Sequence, residues 1–290
     1  MGQGMSTHLA HVAMSRWFSR YRGRALAVAN LGYSLGESFL PMFFVGFLVW
    51  LPWRSVWLFS AIFPLIVAVA IYCTLKDERS PKSFKEDKVS FGIGGRHWSR
   101  SQVLKSSIFW FAFPGLLGLP AFGTVLFFQQ VNYAALKGWD HLSMVKAYPL
   151  FTIMAVGVSF LSGSLIDRYG ATKLIGLYQI PAVFGFYMFS ICETIMGFSV
   201  GLILFAVTAG SNNIIPNAFW AECFGTSHLG RIKSLAAGIM VIGSALGPLI
   251  SGVLIDVGFN LNSQYILFAT YFILSSALLF TCTRKILVNY

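Results

Sequence analysis

Charge is scarce in this chain. Lys, Arg, Asp and Glu together make up 11% of its 290 residues, against roughly 25% in a soluble domain. Acidic residues are fewest, with ten in all. So few charges cannot clothe a water-soluble fold whose residues are 56% hydrophobic. A soluble domain is thereby excluded, and an all-α integral membrane protein is the expected class. The four cysteines, Cys73, Cys192, Cys223 and Cys282, stand in or beside apolar runs with no C-x-x-C spacing. They form neither a disulfide framework nor a metal cluster, and they read as small buried hydrophobes. Five histidines, no nucleophile motif and no phosphate loop argue against an enzyme. Nothing calls for a cofactor or a metal.

Apolar runs are what the chain has in quantity. A membrane span needs about 20 mostly apolar residues. Runs at 25–50, 55–75, 106–131, 147–166, 174–192, 197–221, 234–255 and 263–283 read as spans. Positions 2–18 are too short and too polar for a full span and read as a stub. Leu51-Pro52-Trp53-Arg54 is a tight aromatic turn between the first two full spans. Positions 76–105 are the one long polar stretch, a linker with room for a surface helix. The expectation is eight full spans plus a partial one.

A net charge of +11 invites a nucleic-acid partner, but placement argues for a lipid bilayer instead. Every basic residue except Arg54, Lys137 and Lys146 falls in the gaps on one side of the threaded chain. That asymmetry predicts a multi-pass protein of the plasma (inner) membrane with the linker and C-terminus cytoplasmic. Between the runs 147–166 and 174–192 lies a charged, glycine-bracketed hinge containing Asp167, Arg168, Gly170 and Lys173. Gly170 is suited to the positive φ of a short reversal.

The chain also repeats itself. Arg20-Tyr21-Arg22 precedes Gly32-x-x-x-Gly36, and Arg231-Ile232-Lys233 precedes Gly243-x-x-x-Gly247 at the same offset. A gapped register pairing Gly23-Arg24 with Gly230-Arg231 fits nearly as well. Same-direction repeats imply two pseudo-symmetric halves of a transporter. By that symmetry 1–75 is what remains of an N-terminal bundle (spans 4–6) and 106–290 is a C-terminal six-helix bundle (spans 7–12). The full layout would have twelve spans, the first three and part of the fourth lying before Met1.

The hinge Gly163-Ser164-Leu165-Ile166-Asp167-Arg168-Tyr169-Gly170-Ala171-Thr172-Lys173 resembles the cytoplasmic loop signature of the major facilitator superfamily, G-x-L-x-D-R-x-G-x-x-[RK]. It stands where that family's second copy would lie, between spans eight and nine. The resemblance implies secondary active transport by alternating access. Residues 17–32 are similar to the monocarboxylate and oxalate–formate signature of that family. Phe18, Arg22, Ala25, Ala27, Ala29 and Gly32 match it, while Trp17, Tyr21, Arg24 and Leu31 depart. That branch tends to carry an acid and an arginine in its eighth span, and 147–166 has neither. Gly243-Ser244-Ala245-Leu246-Gly247-Pro248 resembles a run known from the superfamily's exporters, though in the eleventh span rather than the fifth. The implied cargo is a small organic solute, of which a monocarboxylate-like anion is one form. A drug or metabolite exporter and a truncated, non-transporting membrane protein are the alternatives.

Polar groups inside apolar runs are the candidate pathway, because each is costly in lipid unless it meets a cavity or a partner. Asn30 and Glu37 share a stripe of the first full span, with Glu37 the candidate for proton coupling or cation recognition; a hydrogen-bonded helix contact is its bland alternative. Asn212, Asn213 and Asn217 surround Pro216, which denies the Asn212 carbonyl a backbone donor. That pattern predicts a broken helix beside a ligand, or else an interhelical amide network. Gln129, Gln130 and Tyr133 lie near the outer end of their span, and His8 and His11 share a face of the stub. The resemblance places these clusters on cavity-lining spans. Asp167 and Arg168 are read as pairing across the two halves in one conformation, or as simple helix caps. Glu222 stands at a span end and reads as interfacial.

Overall fold

The computed structural model describes residues 22–74, 92–212, 214–225 and 227–289. His8, His11 and Asn213 lie outside the described residues, as do the side chains of Asn30 and Glu37. The chain divides into two compact units, Met1–Asp87 and Lys88–Tyr290.

In the first unit, α1 (Arg22–Trp50) and α2 (Trp53–Thr74) are joined by the expected two-residue turn. Pro52 cannot extend α1, and its carbonyl instead accepts from Ser55 N at 3.0 Å as α2 begins. Apolar side chains along α2 lack protein cover: Leu58 is 65% exposed, Ile66 62% and Tyr72 74%. Such a surface is stable only against lipid or another apolar face.

The second unit opens on an irregular segment and a short helix, α3 (Arg100–Lys105). Then come α4 (Ser107–Phe128), α5 (Gln130–Lys137), α6 (His141–Val145) and α7 (Tyr148–Tyr169). They are followed by α8 (Ala171–Leu174), α9 (Ile180–Ile191), α10 (Ile195–Asn212) and α11 (Ile215–Phe224). Two long helices, α12 (Leu229–Asp256) and α13 (Leu261–Asn289), complete it. Packing follows the order α12, α4, α13, α9, α10, α7, each helix lying against the next. Rings fill the joints, with Phe186 of α9 against Phe205 of α10 at 5.4 Å and Phe272 of α13 at 5.6 Å. Aromatic pairs at such spacing add specific attraction to their area burial.

Small residues set the closest approaches. A Cβ at Gly243 would meet the Leu117 carbonyl oxygen at 3.0 Å, and one at Gly247 would strike the Ala121 carbonyl. The second copy of the sequence's Gly-x-x-x-Gly repeat is therefore the seam between α12 and α4, where bare backbone lets two helices touch.

Six helical stretches among the described residues are long and apolar enough to cross a membrane. They are Trp53–Cys73, Ser107–Phe128, His141–Tyr169, Ile195–Phe224, Leu229–Asp256 and Leu261–Ile286; Phe39–Trp50 and Ile180–Ile191 are shorter. The uninterrupted run expected at 174–192 is split into α8 and α9 by a turn at 175–179. Pro181 has no N–H for the Leu177 carbonyl, and the backbone tightens instead. Ile180 N donates to Leu177 O at 3.1 Å, and Ala182 N to Gln179 O at 3.0 Å.

Candidate functional site

Three of the places where polar groups gather in the second unit lie at breaks or ends of helices. The first is the break between α10 and α11. Ile214 departs from helix geometry at φ −116°, ψ −54°, and its N–H donates to Ser211 O at 3.1 Å instead of continuing the ladder to Gly210. The Gly210 carbonyl accepts instead from Ser159 Oγ of α7 at 2.9 Å. One turn along, Ser162 Oγ donates to Ser211 Oγ at 3.2 Å. A Cβ at Gly210 would strike the Ala155 carbonyl, so α7 reaches these groups only because position 210 is bare. Pro216 follows at the start of α11 with no donor for Asn212 O. Asn212 is half-buried and Asn217 exposed, on opposite sides of the break.

The second place is a buried amide that sequence reasoning passed over. Gln179, in the turn before α9, is fully buried. Its Nε2 donates to the Gly115 carbonyl of α4 at 2.6 Å, and its Oε1 accepts from Ser275 Oγ of α13 at 2.5 Å. Beside it, Tyr271 Oη donates to the Pro114 carbonyl at 2.8 Å. Pro114 and Pro120 weaken the backbone ladder of α4, and side chains from two neighbours brace it there. A lone Gln beside Tyr178 and Pro181 in an apolar run was the available signal.

The third place is the hinge. Gly170 adopts φ +80°, ψ 150°, a region that only glycine occupies without strain. That bend turns the next two amides toward Glu222, at the end of α11. Ala171 N donates to Glu222 Oε1 at 2.8 Å, and Thr172 N and Thr172 Oγ1 both donate to Oε2 at 2.9 Å. A carboxylate on exposed backbone N–H groups is a charge-assisted arrangement, stronger than a neutral pair. Thr283 Oγ1 of α13 donates to the Thr172 carbonyl at 2.9 Å. Glu222, read from sequence as interfacial, thus clasps the hinge. Gly163 is half-buried; Asp167, Arg168 and Lys173 are exposed, with the Arg168 guanidinium 5.3 Å from the Tyr169 ring centre.

The opposite end of the bundle holds the remaining sequence candidates. Asn132 Nδ2 donates to Gln129 Oε1 at 2.7 Å, and Tyr148 Oη to Gln130 Oε1 at 2.5 Å. Tyr133 is fully buried, and its hydroxyl donates to the Phe189 carbonyl at 2.5 Å. Burial pushes its ionisation up, so it stays a donor. In this conformation Tyr133 ties α5 to the end of α9. Lys137 pairs with Glu193 at 3.4 Å across the same joint. Among the described residues no cluster of three or more His, Cys, Asp or Glu side chains is placed to hold a metal.

Long apolar helices with uncovered faces mark an integral multi-pass membrane protein. Residues 1–248 match the family model of the Major Facilitator Superfamily. The chain belongs to that superfamily, which is a family of membrane transporters and not of enzymes. A curated relative, "Agnestins efflux protein AgnL12" of Paecilomyces divaricatus, is 31% identical over 141 residues. The match spans 48% of this chain and 31% of that relative.

Proposed function

We propose that the protein carries a small, uncharged or weakly polar organic solute out across the membrane by alternating access between two helical bundles. The observation that carries this reading is the charge content of the spans. The break between α10 and α11 carries Asn212 and a proline-orphaned backbone carbonyl, and the apolar runs of the sequence from 25 to 283 contain no Lys or Arg. A carboxylate drawn into the bilayer without a counter-charge would keep most of its desolvation cost. Outward direction is supported by the efflux relative. Glu37 is the group proposed to couple transport to protons. The hinge, the 92–105 segment and the C-terminus are proposed to face the cytoplasm of a plasma-type membrane, since the basic residues gather at that end.

The resemblance of residues 17–32 to monocarboxylate carriers supports a second reading, uptake of a small carboxylate. One experiment separates the two. Full-length protein in proteoliposomes, with a proton gradient imposed, is offered a panel of neutral organic solutes beside lactate and oxalate. The expected result is gradient-dependent movement of a neutral solute, reduced about tenfold or more in Asn212→Ala and no longer gradient-dependent in Glu37→Gln. Movement of lactate or oxalate alone would replace the first reading with the second.

A further inference from the structure

A basic cleft of about 480 Å³ opens at the hinge end of the second unit. Arg96, Lys105 and Lys285 line it together with Gln102, Ser106 and Ser107, and among the described residues no acidic side chain contributes to its wall. We propose that this cleft is a binding site for the phosphate group of an anionic glycerophospholipid.

The frame of the cleft is fixed before any ligand arrives. Trp98 N donates to the Phe224 carbonyl at 3.1 Å, and its Nε1 to the Ile93 carbonyl at 3.1 Å. A Cβ on Gly92 would lie 2.5 Å from the Phe224 carbonyl carbon, so the segment is pressed onto the end of α11. Ser99 and Gln102 form a reciprocal cap at the start of α3, with Ser99 N donating to Gln102 Oε1 at 2.8 Å. Arg96 stacks over the Trp98 ring at 4.3 Å, and Lys285 Nζ donates to Ser107 Oγ at 2.8 Å. Two of the three cations are thereby held in place by neutral partners, with no carboxylate paired to them among the described residues. Ordering them in advance lowers the entropy cost of seating an anion.

Position selects a lipid over a soluble phosphate. Ser106, Ser107 and Ile108 are the first residues of a membrane-length helix, and Lys285 stands at the end of another. Both therefore lie at headgroup depth. Immediately beside Lys105, Leu104 is 37% exposed and Trp110 56% exposed, and Trp110 Nε1 donates to the Leu104 carbonyl at 2.8 Å. An amphipathic ligand whose phosphate meets the cations would lay its acyl chains over this uncovered apolar rim. Basic pockets between membrane helices at an anionic leaflet recognise headgroups in this way.

Native mass spectrometry of the full chain in detergent tests the proposal, with phosphatidic acid and phosphatidylcholine titrated in parallel. Wild-type protein is expected to hold phosphatidic acid far more tightly than phosphatidylcholine. Arg96→Gln/Lys105→Gln protein should lose about thirtyfold in affinity for it, given the usual attraction per basic residue. Arg100→Gln, an exposed cation outside the lining, should bind as wild type does. Ionic strength gives a readout that needs no variant: affinity should fall about tenfold between roughly 0.1 and 0.5 M salt. Equal binding of the two lipids, unchanged binding by the double variant, or salt-independent binding would each overturn the site. Displacement of the lipid by inorganic phosphate at equal concentration would assign the cleft to a soluble anion and overturn the lipid.

Discussion

Three donors converge on one carboxylate at the hinge, and a glycine lets them do so. Gly170 sits at φ +80°, ψ 150° so that Ala171 N and Thr172 N reach Glu222. Any other side chain at 170 would be strained there, at about 1–3 kcal/mol. Gly170→Ala protein is therefore expected to melt earlier in detergent, and amide exchange at Ala171 and Thr172 should quicken as the clasp loosens. Unchanged melting would show that the hinge tolerates another backbone path. The need for glycine at 170 was legible from its place between two apolar runs. Glu222 as its partner was not, because 51 residues separate it from Ala171. Hydropathy and local pattern carry no information about which distant side chain closes a turn. Gln179 escaped for the same reason, with its partners Gly115 and Ser275 lying 64 and 96 residues away.

Helices in this bundle are set apart or drawn together by single small residues. Gly247 is where α12 meets the Ala121 carbonyl of α4, and Gly247→Ala would force two backbones apart. Overpacking of this kind costs about 1–3 kcal/mol. Gly247→Ala is expected to lower the thermal midpoint, whereas Gly252→Ala, with open space at its Cβ, should leave it unchanged. Equal effects at both positions would mean that the seam is not a tight one. Helix ends at Trp50 and Asn212 were readable from Pro52 and Pro216, since proline acts locally. The turn at 175–179 was visible only as Pro181 inside a run apolar enough to pass for one span. Hydropathy averages across such a break, and hydrogen-bond geometry does not.

On the scale of the molecule, the second unit has two differently built ends. Around the hinge lie Arg96, Lys105, Lys173 and Lys285, where Glu222, Thr283 and Ser107 make hydrogen bonds between elements. The opposite end carries Lys137 and Lys146 and is tied by Tyr133 and Glu193. The proposed orientation makes a direct prediction for single-cysteine variants in sealed cells. In a background lacking the native cysteines, Lys146→Cys should react with an impermeant maleimide added outside, and Lys173→Cys only after permeabilisation. The reverse pattern would invert the protein in the membrane. Class and superfamily were legible in the sequence because they rest on composition and one loop. The bracing of α4 was not, because it is assembled from three helices.

One property of the second unit bears on what can drive it. Its membrane-length helices carry their charges towards their ends, Asp167 and Arg168, Glu222, Arg231 and Lys233, Asp256, Arg284 and Lys285, and none in mid-span. An electric field does work only on charge that moves through it, about 2.3 kcal/mol per unit charge for each 100 mV. However far this bundle tilts, it takes almost no charge across the field, so voltage cannot rock it directly. In the proposed alternating-access cycle, electrical dependence would enter through the solute, or through a proton on a group outside this bundle.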